Sequence, residues 1–535
     1  MGASLRAVRA LVLLSGFYLL GFVLLGALAG IDYAVIASGG HGPVVAKLVF
    51  VSLILAFPVV RGMFMLRTPK SEPMAGLRPT ERQEPHLWAT VRELAAAVGT
   101  RAPDEIVLTD EVNAAVSEDS RLLGLLPGPR RMYIGLPLMT GLDEMQLRAV
   151  LAHELGHYGN ADTRFTPLIV RGRAQIARTI AHFHERADHT VAKERAKQEK
   201  QAGKRIAKGK KAKEVNTTGS GVLYRVMAGI YTAYGSFFMR ATLSGFRRQE
   251  YAADLAAARI AGRDAYASAL RELPALVSAH DFYMGSYATL GVGAGLLPAP
   301  GQVFGGFGEL LRAREEELAG LREELPERPA SPYDTHPPIA DRVARIEALP
   351  DDGRGAGAAR PALDLLVSAA GAFAALEQEV LTPEALGLRR ADWSDLVHES
   401  MSAYVARGAE DIRAAVAAER PGGQGDLDAF LDLIDADPAA LWRVADRLPK
   451  SPEAAAATGR AAREFARPGL RRALNQLVTV ELTGRGEARW QLSWADSASL
   501  EYRTGGFGTE LNAALDAAVA DQGDTGPLRR LVRAC

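Results

Sequence analysis

His153-Glu154-Leu155-Gly156-His157 places two imidazoles and a carboxylate within five positions. Residues four apart on an α-helix lie about 40° apart around its axis, so both imidazoles can face one metal ion with Glu154 beside it as a base. Two histidines do not complete a catalytic zinc site, which needs a third protein ligand and a position for water. Arg247-Arg248-Gln249-Glu250-Tyr251-Ala252-Ala253-Asp254 supplies a candidate, because Glu250 and Asp254 are again four apart. Alone such an acidic pair is more often a solvated face, and coupled to the first motif ligation becomes the favoured reading. Glu250 would complete the ligand set. Asp254 would accept a hydrogen bond from the second nitrogen of a ligand histidine and so fix its tautomer. The single cysteine, Cys535, excludes an internal disulfide and a thiolate zinc finger, so any metal rests on histidine and carboxylate.

These residues need a rigid support. Asp143 and Gln146 have the spacing of a capping box, which predicts a helix from Asp143 with Leu147, Val150, Leu151 and Leu155 on its buried face. Gly156 is costly inside a helix and makes sense where another backbone comes close. Upstream, Leu87, Val91, Leu94, Ala95 and Val98 have helical spacing, and 105–109 and 131–135 read as short strands. Phe165, Leu168, Ile169, Ile176, Ile180 and Phe183 predict an amphipathic helix over 165–185, which Arg171, Arg173 and Arg178 exclude from the membrane. Residues 193–213 hold eight of the eleven lysines and read as a solvated helix or loop, or as a surface resting on anionic lipid. The uncharged run 226–239 is short for a span and reads as a buried or interfacial helix.

At the N-terminus, 10–31 and 44–66 are apolar enough to cross a bilayer. Arg6 and Arg9 precede the pair, Arg61 lies near its end, Arg67, Lys70 and Arg78 follow it, and 32–43 has neither Lys nor Arg. The positive-inside rule then puts both ends in the cytoplasm. Ala27-Leu28-Ala29 has the pattern of a signal-peptide cleavage site, but the apolar core is too long and a second apolar segment follows, so a hairpin is the favoured reading. With 63 basic and 63 acidic residues, the chain lacks the positive excess of a dedicated nucleic-acid binder, and no nucleic-acid partner is expected. The expected organisation is a transmembrane hairpin (1–67), a juxtamembrane linker (68–84), a catalytic domain (85–350) with the lysine-rich insertion, a linker (351–360) and a mostly helical domain (361–535). Alternation at Val478, Val480 and Leu482, then at Trp490, Leu492 and Trp494 across Gly484-Arg485-Gly486, predicts a β-hairpin near 477–494.

Four segments between about Pro85 and Leu349 resemble the HtpX and CAAX-prenyl-protease type of membrane-anchored gluzincin metallopeptidases. Asn113-Ala114-Ala115 looks like the family's segment beside the substrate-binding edge strand, with Val116 departing from its usual small residue. Residues 150–162, VLAHELGHYGNAD, match the signature helix, and 250–254, EYAAD, match the third-ligand helix. Thr335-His336-Pro337-Pro338, followed by Arg342 and Arg345, is similar to the late His-Pro-Pro element. The resemblance implies a zincin-like metallopeptidase domain. With the apolar N-terminal pair and the Ala/Leu helical pattern after 360, the expected fold is mainly α with a small β-sheet: an N-terminal transmembrane helical hairpin, that metallopeptidase domain and a C-terminal mostly helical domain. The resemblance also implies one Zn(II) per chain on His153, His157 and Glu250, with Glu154 as general base and Asp254 behind a ligand histidine. His336, with Tyr333, would serve the oxyanion, and Asn113, Ala114 and Ala115 would hold the peptide. The partners would be a protein or peptide substrate and the lipid bilayer, while 193–213 keeps its two readings from charge, solvated or resting on anionic lipid. The place would be the cytoplasmic membrane, multi-pass, with the catalytic domain inside. Two departures stand out: the interval between signature helix and third ligand lacks the family's two hydrophobic segments, and the terminal domain has no counterpart.

The leading expectation is a zinc endopeptidase acting on membrane or membrane-proximal proteins, with protein quality control as its setting. Its rivals are a membrane-tethered binding or chaperone-like protein with a vestigial metal site, and a protease that processes prenylated proteins. His182, His184 and His189 imitate the motif, but His184 and His189 point about 140° apart on a helix and cannot share a metal without bending it.

Overall fold

Apolar length and composition shape the first two elements. In the computed structural model, α1 (Ala3–Ala37) and α2 (Pro43–Phe64) form an antiparallel pair whose apolar stretches, Val12–Ala37 and Pro43–Phe64, are long enough to cross a membrane. The structure describes residues 3–39, 42–64, 74–118, 128–159, 166–208, 210–211, 214–325, 336–353, 359–420 and 423–534. The chain divides into two compact units, Met1–Pro274 with Leu321–Val367, and Ala275–Gly320 with Ser368–Cys535.

In the first unit, α3 (Pro85–Val98) precedes a three-stranded sheet of β1 (Glu105–Thr109), β2 (Ala114–Glu118) and β3 (Arg130–Gly135). The strand order is β1-β3-β2, with β1 parallel and β2 antiparallel to the central β3, so β2 is an edge strand. The short α4 (Leu136–Gly141) leads into α5 (Glu144–Gly159). The expected capping box is present: the Asp143 backbone donates to Gln146 Oε1 at 2.9 Å, and the Gln146 backbone donates to Asp143 Oδ1 at 2.7 Å. Leu147, Val150, Leu151 and Leu155 are all buried.

The interval after α5 is simpler than its composition suggests. The predicted amphipathic helix and most of the lysine run form one helix, α6 (Thr166–Ile206). The apolar run 226–239 and the EYAAD segment form another, α7 (Val222–Ala261). Both pack against the N-terminal hairpin: Leu13, Phe17, Leu55, Val59 and Met63 share a core with Ile176, Phe183, Met227, Tyr231 and Phe238. Close approach matters most where lipid removes the hydrophobic incentive for helices to associate. A Cβ on Gly62 would lie 2.8 Å from Thr179 Oγ1, and Gln175 Nε2 donates to the Gly62 carbonyl at 2.9 Å. Leu19, Phe22, Phe50, Leu53 and Phe57 of the hairpin stay exposed, as a lipid-facing surface requires.

The expected linker 68–84 is firmly held over its described part. Leu77 bridges Leu108, Trp88 Nε1 donates to the Pro79 carbonyl, and Glu84 accepts from the Val367 backbone. The later boundary moves as well. Ala362 donates to the Leu142 carbonyl and Glu144 to that of Arg360, so the chain beyond the glycine-rich stretch stays on the first unit until Val367. Residues 275–320, expected inside the catalytic domain, cluster with the terminal unit instead. α8 (Arg263–Tyr283) follows α7, and α9 (Gln302–Gly305), α10 (Phe307–Ala313) and α11 (Glu315–Glu323) precede α12 (Ile339–Glu347).

The second unit is mostly helical, with two small sheets. β4 (Leu296–Pro298) pairs parallel to β5 (Arg389–Ala391), and β6 (Ala488–Gln491) pairs antiparallel to β7 (Ser499–Tyr502). The hairpin expected near 477–494 is absent: Val478, Val480 and Leu482 lie in a helix, Gly459–Arg485. Leu470, Leu474, Leu477, Val478 and Leu482 form its buried stripe, a helical spacing that local alternation disguised. Gly486, at φ 76°, is the left-handed cap that ends this helix.

Candidate metal centre

His153, Glu154 and His157 lie on α5, and Glu250 and Asp254 lie on α7. The two helices cross closely at Gly156, where an added Cβ would sit 3.3 Å from Ala253 Cα. Gly156→Val is therefore expected to push α7 away from α5. The check is metal affinity by chelator competition, expected to fall by at least about tenfold, together with the melting temperature, expected to drop with it.

Among the described residues, His153, His157 and Glu250 form the one group of three that could hold a metal ion. Their ligand atoms are 3.2 Å apart between the two Nε2 atoms, 3.7 Å from His153 Nε2 to Glu250 Oε2, and 3.6 Å from His157 Nε2 to Glu250 Oε1. Bonds of about 2.1 Å in a tetrahedral array give ligand edges of roughly 3.4 Å. The donor set, two imidazoles and a carboxylate, therefore fits a zinc-type ion in both size and chemistry. Burial pushes the His157 pKa down to about 4, which keeps its imidazole neutral and able to ligate at ordinary pH. Burial raises the Glu154 carboxyl above the usual carboxylate range; His153 opposes the rise and Glu250 adds to it.

Behind the ligands lies a buried polar network. His153 Nδ1 is 3.0 Å from Asp254 Oδ1 and 2.9 Å from the Tyr266 hydroxyl of α8. Tyr266 donates to Asp254 Oδ1 at 2.6 Å. Arg342 of α12 donates through both Nε and Nη2 to the Asp254 carboxylate, at 3.1 and 2.6 Å. Burial alone would raise the Asp254 pKa, but hydrogen bonds with His153 and Arg342 outweigh it and hold the carboxylate ionised. His336, just before α12, places Nδ1 2.9 Å from Glu250 Oε2. Burial likewise works upward on Glu250, and the His336 bond and nearby imidazoles bring it below its ordinary range. One short segment, 336–342, thus grips both carboxylates of the EYAAD pair. Arg342→Met would leave Asp254 a buried, poorly compensated charge, at an expected cost of about 3–5 kcal/mol in unfolding free energy, read by denaturant titration.

Asn113 directly precedes edge strand β2, and Ala114 and Ala115 open it; the strand packs beside α5. Tyr333 and Asp162 fall outside the described residues. Sequence reasoning missed Tyr266, which no motif marks, and noted Arg342 only as a neighbour of His336. Arg342 did carry a signal, since it occupies the buried face of α12 with Val343 and Ile346, where an arginine needs a buried partner. The histidines of α6 form no such group: His182 Nδ1 lies 3.6 Å from Glu185, and His184 and His189 are exposed.

A helix carrying both imidazoles, a second helix donating a carboxylate and an apolar N-terminal hairpin define the class of membrane-anchored metallopeptidases, hydrolases of peptide bonds. The chain belongs to peptidase family M48, whose profile matches residues 81–349. It is 24% identical over 280 residues to Protease HtpX of Xanthomonas axonopodis pv. citri, covering 52% of this chain and 75% of that protein. It is 27% identical over 278 residues to a Protease HtpX homolog of Bacteroides fragilis, covering 51% and 71%. With the homolog from Tropheryma whipplei it shares 26% over 141 residues, 25% of this chain and 47% of the other. No solved structure matches the chain.

Proposed function

We propose that this metallopeptidase holds one zinc ion per chain on His153, His157 and Glu250 and cleaves membrane or membrane-proximal polypeptides, with protein quality control as its setting. The observation that carries this reading is the convergence of three ligand atoms from α5 and α7 at spacings of 3.2–3.7 Å. A bound zinc ion supplies Lewis acidity, polarising the peptide carbonyl and making water more acidic. Glu154 accepts the proton of the attacking water and returns it to the leaving amine. Asp254 holds His153 with Nε2 toward the ion, and Tyr266 and Arg342 hold Asp254. His336 is engaged on Glu250 through Nδ1, so its service to the oxyanion, with Tyr333 as companion, falls to Nε2. Asn113–Ala115 receive the peptide by strand addition.

The proposed placement is a multi-pass protein of the cytoplasmic membrane with α1 and α2 spanning and the peptidase centre inside. We place the lysine run along the hairpin from two contacts. Gly221, at the start of α7, meets Ala187 of α6, and Glu250 lies about 40 Å further along α7. Phe17 of α1 meets Tyr231 of α7, so the lysines lie level with the α1–α2 turn, at the end remote from the metal centre. With α1 and α2 spanning, the lysines would then meet the head groups of the opposite bilayer face and α6 and α7 would cross beside the hairpin, a placement at odds with the exclusion of 165–185 from the membrane read from its arginines. A reporter fused after Cys535 reads the orientation, and reporter activity outside the cell overturns the cytoplasmic placement.

The functional test uses the full-length chain in detergent with casein as substrate. A zinc chelator is expected to abolish cleavage and added Zn(II) to restore it. Cleavage that survives complete metal removal overturns the reading.

A further inference from the structure

The backbone of β2 indicates how much of a substrate the edge strand can take. The Gly135 backbone donates to the Asn113 carbonyl at 2.8 Å, and Ala115 lies opposite Tyr133 in the antiparallel ladder. In such a ladder, residues bonded to the partner alternate with residues whose N–H and C=O point the other way. Positions 113, 115 and 117 therefore face β3, and 114, 116 and 118 present their backbone groups to the opposite edge. At Val116 that edge is already engaged, because the Tyr158 hydroxyl donates to its carbonyl at 2.8 Å.

Tyr158 is well fixed. The Arg130 guanidinium lies 4.5 Å from its ring centroid, and Arg130 pairs with Glu118 at 2.8 Å with both side chains largely buried. Arg130 also donates to Thr100 Oγ1 at 3.0 Å and to the Arg101 carbonyl at 2.6 Å. Tyr158 directly follows His157 in sequence, so this stop is held in register with the proposed metal ligands.

We propose that Tyr158 ends the substrate-binding edge at Val116, so that an incoming peptide pairs its backbone in full at Ala114 and no further. The substrate class is then a short extended segment, of the kind a loop or a frayed helix end presents, and not a long added strand. Tyr158 is a specificity-determining residue that acts on backbone pairing. The proposal rests on β2 being the strand that receives the peptide.

The test measures binding without turnover. Full-length Glu154→Gln chain, loaded with zinc in detergent, is titrated against a fluorescent peptide substrate and a series of its analogues, each N-methylated at one backbone amide. One N-methyl position is expected to weaken binding, the amide that donates to Ala114. In the Glu154→Gln/Tyr158→Phe chain, a second position two residues away becomes sensitive as well, each at roughly five- to tenfold. Tyr158→Leu frees the same carbonyl and stands in if the phenylalanine variant loses its zinc. The same set of sensitive positions with and without the hydroxyl overturns the role of Tyr158. Indifference to methylation everywhere overturns the strand-addition reading itself and the proposal with it, and is distinguishable from the first failure.

Discussion

Replacing Glu154 by glutamine is expected to lower kcat/KM for peptide cleavage by about 10²- to 10⁴-fold while leaving the metal content at the wild-type level. Glutamine has nearly the same shape and cannot take a proton at neutral pH, so the substitution removes the base and little else. The ligand atoms that converge belong to His153, His157 and Glu250 and not to Glu154, which separates loss of base from loss of metal. Steady-state kinetics on a quenched peptide, with metal analysis of the same samples, checks both halves. Cleavage near the wild-type rate removes Glu154 from its role as base.

Replacing Glu250 by alanine is expected to act one step earlier, by removing the metal. Its carboxylate is buried and lies 3.6–3.7 Å from the two imidazole Nε2 atoms. Loss of a group behind the ligands costs about 10–100-fold in metal affinity, and loss of a ligand exceeds that range. Activity should vanish at trace zinc, and chelator competition should show affinity reduced by more than about 100-fold. His336 loses its carboxylate partner in the same substitution. Glu250→Gln keeps the volume and an oxygen but not the charge, and an intermediate affinity is expected. An affinity unchanged in both variants would put the third ligand elsewhere.

The centre was legible in sequence because its chemistry is local on each helix. The capping box at Asp143, the buried stripe from Leu147 to Leu155, the four-residue spacing of the histidines and the close approach at Gly156 are all properties of a single turn or two. Convergence with Glu250 was inferred from the matching spacing of the acidic pair. Tyr266 was invisible because its role comes only from the packing of α8 on α7, a tertiary fact with no sequence period. Charge hid the extent of α6: the lysine run read as a separate solvated helix or loop, whereas most of it continues the amphipathic helix, since a helix tolerates charge wherever its surface is wet. In the terminal unit, the alternation at Val478, Val480 and Leu482 was a subset of a helical stripe that the neighbouring Leu474 and Leu477 complete. The grouping of 275–320 with the terminal unit depends on long-range contacts that composition does not carry.

Zinc K-edge X-ray absorption on the full-length, zinc-loaded protein reads the proposed ligand set itself. A first shell of nitrogen and oxygen at about 2.0–2.2 Å is expected, with the outer-shell scattering of two imidazoles. That imidazole signature should disappear when His153 and His157 are both replaced by alanine. A spectrum without imidazole scattering, or one that the double replacement leaves unchanged, would contradict that ligand set.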